Sequence, residues 1–166
     1  MAQEIEVLKE AVKHVGYFKY SDLYAFCYNW LKDNGYSVKE KEYTEKLSND
    51  GKEVEIKWEA AKDVTDYFQN KIELKWHILR MQDAEVEIEG KKKKTNKGEV
   101  KITFTANLVK DYEKKWEQSP FYKFLRGIYD KYIIRTTLDQ YKDRLKDKAD
   151  SFVEDTKAFI RLEGKK

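Results

Sequence analysis

Few residues in this chain have the type and spacing that chemistry requires. His14 and His77 are the only imidazoles, and the single cysteine, Cys27, leaves no thiol pair at ligand spacing. A structural zinc site takes four such ligands and is not expected; a carboxylate-only site for a hard cation stays open, though no Asp-x-Asp-x-Asp-Gly calcium loop is present. His77 falls beside Lys75 on the polar side of an alternating segment and reads as an ordinary surface histidine. Cys27 lies between Phe26 and Tyr28 on an apolar helical stripe. A thiol in that setting is desolvated and behaves as a small hydrophobe rather than a nucleophile. The chain has no Gly-x-Ser-x-Gly elbow, Walker loop or Gly-x-Gly-x-x-Gly turn. No catalytic residue, metal ligand or cofactor is assigned from these residues.

Three features remain. Counted from Tyr36 and Val38, Glu40 points to the apolar side of its strand unless a bulge near Lys41 shifts the phase. A buried carboxylate there would open an enzymatic reading. The second feature is Lys91-Lys92-Lys93-Lys94 with Lys97, the only concentrated positive charge. Read as a hairpin loop, it could follow a phosphate backbone or an anionic surface. Read as a solvated tip, it deters edge-to-edge aggregation. No aromatic residue interleaves with it, as stacking on bases would require. The third is the aromatic C-terminal stretch from Phe121 to Ile134, richer than one buried face needs. Tyr122, Tyr129 and Ile134 fall on a second face. That surplus is core on both sides if the helix is sandwiched between sheet and terminal helix; otherwise it lines a cavity under the sheet, with Trp58, Trp76, Phe124, Tyr129 and Tyr132 as its ligand-binding residues, or meets another protein or a second copy.

The elements that must position these residues are legible from periodicity. Val54, Ile56, Trp58 and Ala60 alternate with Glu53, Glu55, Lys57 and Glu59. Ile72, Leu74, Trp76 and Ile78 alternate with charged residues in the same way, as do Val86 and Ile88, and Val100 to Leu108. A period of two marks strands with one dry and one wet face. Ser48-Asn49-Asp50-Gly51, Lys62–Asp66, Met81–Asp83 and Thr95–Gly98 are the expected turns. Residues 4–16 suit either a helix face (Ile5, Leu8, Val12, Val15) or a strand (Ile5, Val7, Ala11, Val15), and the strand is preferred. A helix follows with Ser21 as N-cap, a stripe of Leu23, Phe26, Cys27, Trp30 and Leu31, and Gly35 as terminator. After Asp111, Tyr112 and Trp116 begin helical spacing, and Ser119-Pro120 starts a helix. A last helix from about 137 to 162 carries Leu138, Tyr141, Leu145, Ala149, Phe152, Thr156 and Phe159 on one face.

The expected fold is α+β: an antiparallel meander sheet of five or six strands, with one helix from the N-terminal half and two C-terminal helices packed on one face. Residues 1–166 form one domain of 19.9 kDa without linker or repeat. Aromatics at 14% argue against disorder despite 39% charged residues, and the net charge of +3 does not by itself call for nucleic acid. One cysteine suits a reducing compartment, and neither a signal-peptide-length apolar run nor a membrane-length one is present, so a cytoplasmic location is expected. Abundant Lys and Glu match the composition of heat-tolerant proteins.

With residues 4–15 as a strand, the order of strand, helix, strand meander and long terminal helix resembles the helix-grip fold of the START and Bet v 1-like superfamily. That resemblance implies an apolar ligand held between sheet and terminal helix. The chain differs from the pattern in having one helix after the first strand, and in an interruption at Arg135-Thr136-Thr137. In texture it also resembles small archaeal proteins, a likeness that carries no function. The function expected is a non-catalytic binding or assembly module for an apolar ligand or protein partner. Nucleic-acid binding through the lysine run is the alternative, and an enzyme using a buried acid is third.

Overall fold

The computed structural model describes residues 3–110, 120–128 and 134–164. Five strands form one antiparallel sheet: β1 (Gln3–Phe18), β2 (Ser37–Ser48), β3 (Gly51–Asp63), β4 (Phe68–Ile88) and β5 (Lys91–Lys110). Its spatial order is β1-β5-β4-β3-β2. The chain after β1 must therefore cross the whole sheet before β2, and α1 (Tyr20–Asp33) is that crossing. Two further helices follow, α2 (Pro120–Ile128) and α3 (Ile134–Gly164).

The alternation predicted from sequence is the alternation found. Val54, Ile56, Trp58, Ala60, Ile72, Leu74, Trp76, Ile78, Val100, Ile102, Phe104, Ala106 and Leu108 are all buried. Leu23, Cys27 and Leu31 of α1 close one part of this layer, and Leu145, Ala149, Phe152, Val153, Thr156 and Ile160 of α3 close the rest. The two helices meet through stacked rings: Trp30 on Phe152 at 4.2 Å, and Phe26 on Phe159 at 4.5 Å.

Several expectations are corrected. β1 is a strand, but Leu8, Val12 and Phe18 are its buried positions, whereas Ala11 and Val15 are exposed. A register shift between Glu6 and Leu8 inserts Val7 as a bulge and reverses the phase. That phase reversal is what made the segment look half helical. α1 begins at Tyr20, with Lys19 rather than Ser21 at the N-cap, and no side chain of its own helix caps it. The first amide is satisfied from the sheet instead: Tyr20 N–H donates to Asn96 Oδ1 on β5 at 2.9 Å. At the other end Gly35 (φ +88°) takes the left-handed position, with Tyr36 N–H on Leu31 O and Gly35 N–H on Lys32 O, a Schellman closure.

The expected turns at Met81–Asp83 and Thr95–Gly98 are absent. β4 runs through the first as a bulge between Leu79 and Gln82, with Arg80 at φ +54°, and β5 runs through the second. Two predicted strands therefore fuse, and the sheet has five strands, the lower of the two expected numbers. The lysine run is not a loop either. The reversal occurs at Glu89-Gly90, both with positive φ as a two-residue hairpin turn requires, and Lys91–Lys94 pair as strand with Glu85–Ile88. The β3–β4 turn occupies 64–67 rather than 62–66, where Thr65 Oγ1 accepts from Tyr67 N–H and Phe68 N–H. α2 starts at Pro120, as its helix-start signal predicts. α3 begins at Ile134, so 135–137 are helical and interrupt nothing. Tyr112, Trp116 and Ser119 lie outside the described residues. No described helix is long and apolar enough to cross a membrane.

Candidate functional site

Among the described residues, those predicted to line an internal site do not converge on a hollow. Trp58 and Trp76 are each 1% exposed and sit with ring centroids 5.3 Å apart in edge contact. Tyr24 of α1 closes on Trp58 at 4.8 Å, nearly perpendicular, and lies 6.1 Å from Trp76. Their faces are occupied by protein. Phe124, the third residue of that set, is 65% exposed on α2. Tyr129 and Tyr132 lie outside the described residues. A surface cleft of about 540 Å³ lies between the α1 N-terminus and the projecting β4–β5 hairpin, lined by Lys19, Tyr20, Asp83, Lys94 and Asn96 among others. Neither Trp58 nor Trp76 borders it.

α2 places Phe121, Phe124 and Ile128 at i, i+3 and i+7, one stripe of its surface, and all three are exposed. Large apolar side chains that a fold does not bury mark contact surfaces when they lie together.

Glu40 does turn to the apolar side, opposite Trp58, and the bulge foreseen near Lys41 follows it immediately. It stays at the exposed rim, where Oε1 accepts from Tyr24 Oη at 3.1 Å and Trp58 Nε1 at 3.4 Å. Burial, then the carboxylate of Glu40, pushes the Tyr24 hydroxyl up to about 12. Tyr20 is raised further, first by burial and then by its hydrogen bond with Tyr43. These phenols stay protonated at neutral pH, and two donors, Tyr24 Oη and Trp58 Nε1, hold the Glu40 carboxylate. Burial also pushes the Cys27 thiol up to about 12, against a weak contact with Thr156 Oγ1 at 4.0 Å. A thiol in that state is no nucleophile.

The lysine run is divided between the two faces of the hairpin. Lys94 and Lys92 stand opposite Glu85 and Glu87, whereas Lys93 and Lys91 stand opposite Val86 and Ile88, and Lys97 faces Gln82. Residues directly opposite in an antiparallel pair share a face. The positive charge that looks concentrated in one dimension is thus half-countered by glutamates in three, which weakens its case as a phosphate track.

Two groupings on the open face of the sheet were not legible in advance. Lys71 is central to the first: its Nζ lies 2.8 Å from Glu59 Oε1, 3.0 Å from Glu4 Oε1 and 3.6 Å from Glu73 Oε1, with its side chain only 17% exposed. Burial alone would lower the Lys71 ammonium, but the hydrogen bonds it donates to Glu59 and Glu4 outweigh that and raise it overall. The bond from Lys71 likewise holds Glu59 below the ordinary carboxylate range. A carboxyl depressed in the folded state adds stability above its unfolded value, and loses it as pH falls through the folded one. Lys71→Met leaves three carboxylates without their shared cation and should cost about 1 kcal/mol at pH 7. That deficit should be smaller at pH 3, below the ordinary carboxylate range, where the stability contributed by the depressed Glu59 carboxyl is being lost. Urea unfolding of both proteins at the two pH values measures the difference, and a deficit independent of pH would refute the assignment.

In the second grouping, Glu53 and Glu55 of β3 meet His77 of β4, with Glu55 directly opposite the histidine. His77 Nε2 lies 3.1 Å from Glu53 Oε1 and 3.6 Å from Glu55 Oε1. A turn centred on 62–66 would have set Glu55 opposite Glu73. The observed turn slides the register by four residues and puts the histidine there. His77 is on the polar face, as expected, but it is not an isolated surface histidine.

No protein-family model, curated protein or solved structure matches the chain.

Proposed function

We propose that this chain is a non-catalytic assembly module that pairs with a second copy of itself through the apolar stripe of α2. The observation that carries the reading is the contrast between a filled interior and exposed aromatics. Trp58 and Trp76 are fully packed, while Phe121, Phe124 and Ile128 face outward. Aromatic side chains at the centre of a patch are the usual energetic anchors of protein contacts. Self-pairing is favoured over a highly charged partner because 34 basic and 31 acidic residues nearly cancel, so two copies repel one another little.

The element order, with β1 and β2 at opposite edges and α1 and α3 on the dry face, supports kinship of form with the helix-grip proteins. The ring packing around Trp58 argues that the space used for ligands in that fold is filled by side chains in this one.

Sedimentation velocity across a dilution series tests the proposal. The wild-type chain should pass from dimer to monomer on dilution. Phe124→Asp, at a position already in water, should leave the fold intact and weaken the dimer by about 2 kcal/mol, roughly thirtyfold. A wild-type chain that stays monomeric at every concentration, or a variant that dimerises equally well, would overturn it.

A further inference from the structure

We propose that Glu53, Glu55 and His77 form a binding site for a divalent first-row transition metal on the open face of the sheet. One imidazole nitrogen and one oxygen from each carboxylate lie within 4.8 Å of one another. Ligands sharing one metal at 2.0–2.2 Å bond lengths stand roughly 3–3.5 Å apart. The Nε2–Glu53 and Nε2–Glu55 separations of 3.1 and 3.6 Å already meet or nearly meet that spacing. Only the two carboxylates must close on each other. Their side chains are 37% and 61% exposed and have room to swing.

The backbone beneath them is fixed. β3 is flanked by β2 and β4, and β4 by β3 and β5, so neither strand lies at an edge. Both carboxylates now gather around a single ring nitrogen. A bound dication would take the place of that contact and keep the same three donor atoms, so the site needs little rearrangement to load.

The donor set selects the class of metal. Two carboxylates alone would suit magnesium or calcium, but the imidazole between them shifts preference to zinc, nickel or copper, and no thiolate is present to favour softer ions. Three protein ligands leave further positions for water or an exogenous ligand. Lysines surround the site: Lys46 on β2, Lys57 on β3, Lys75 on β4, and Lys101 on β5 directly opposite His77. Among the described residues no carboxylate pairs with Lys57, Lys75 or Lys101. Their charge tempers the affinity for a cation and favours an anion in the open positions of a bound metal.

Isothermal titration of the full chain with zinc chloride in a non-coordinating buffer tests this. One equivalent should bind to the wild type. His77→Ala should weaken binding more than tenfold, Glu53→Gln should weaken it measurably, and His14→Ala should leave it unchanged, because His14 lies elsewhere and contacts Tyr17 O. No binding by the wild type, equal binding by His77→Ala, or loss on His14→Ala would overturn the proposal. Should His77→Ala fail to fold, proton NMR of the wild type decides the matter. Zinc should move the ring resonances of His77 and not those of His14, and the reverse, or no shift at all, would refute the site.

Discussion

Replacing Phe152 by Ala should lower the unfolding free energy by about 3–5 kcal/mol, the usual cost of emptying a buried aromatic site. Phe152 is fully buried at the junction of three elements. Its ring stacks on Trp30 of α1 at 4.2 Å with 5° between planes, and meets Phe104 of β5 edge-on at 5.0 Å. Its backbone carbonyl also accepts from the hydroxyl of Thr156, a buried polar residue of the core. Truncation therefore opens a cavity where α1, α3 and the sheet converge, and none can close it without losing contact with the other two. The matched control is Phe124→Ala, also a phenylalanine on a helix, which should change stability by less than about 0.5 kcal/mol because its ring is already in water. Urea unfolding of the two variants decides between them. A Phe152→Ala deficit below about 1 kcal/mol would mean that α3 does not seat on the sheet through this ring.

Gly51→Ala should cost about 2–5 kcal/mol, combining backbone strain with overpacking. Its φ of +134° disfavours any side chain, and a Cβ would fall 2.6 Å from the Arg80 carbonyl carbon and 2.9 Å from Met81 O. Those atoms belong to the backbone of the β4 bulge and cannot rotate away. Gly98 presses on the same bulge from β5, where a Cβ would lie 2.9 Å from Leu79 O. The bulge thus stands between two glycines, one on each neighbouring strand. Because displacing it once relieves both clashes, Gly51→Ala and Gly98→Ala should combine less than additively. Gly90→Ala is the contrast: φ is +78°, but nothing lies within 4 Å of the added carbon, so only the turn penalty of about 1–2 kcal/mol applies. Equal losses at Gly51 and Gly90 would show that the bulge is not tightly flanked. Thermal unfolding of the four variants reads all of this.

The dry face of the sheet was legible because its signal is local. Val54 to Ala60, Ile72 to Ile78 and Val100 to Leu108 each keep one phase from end to end, and each is buried as that phase demands. Reading failed where one residue breaks the phase. Val7 does so in β1, and Arg80 does so in β4, where a bulge resembles a turn when only polarity is seen. The long-range register was likewise hidden, because it depends on where the β3–β4 turn sits. A shift of two residues in that turn decides whether Glu55 meets Glu73 or His77, and so whether a metal-ligating group exists at all. The lysine run misled for a related reason. Neighbours in sequence alternate between faces in a strand, so four successive lysines became two pairs with different partners. The surplus of aromatics around Phe124 is visible in the sequence, but what covers its ring depends on long-range packing, and in space it faces outward.

Native mass spectrometry of the purified chain tests the central claim most directly, since it reports subunit count and any retained small molecule in one spectrum. A filled interior with its apolar surplus on the outside predicts ions at twice the chain mass and no added mass of an organic ligand. A monomer carrying a bound apolar molecule would contradict it.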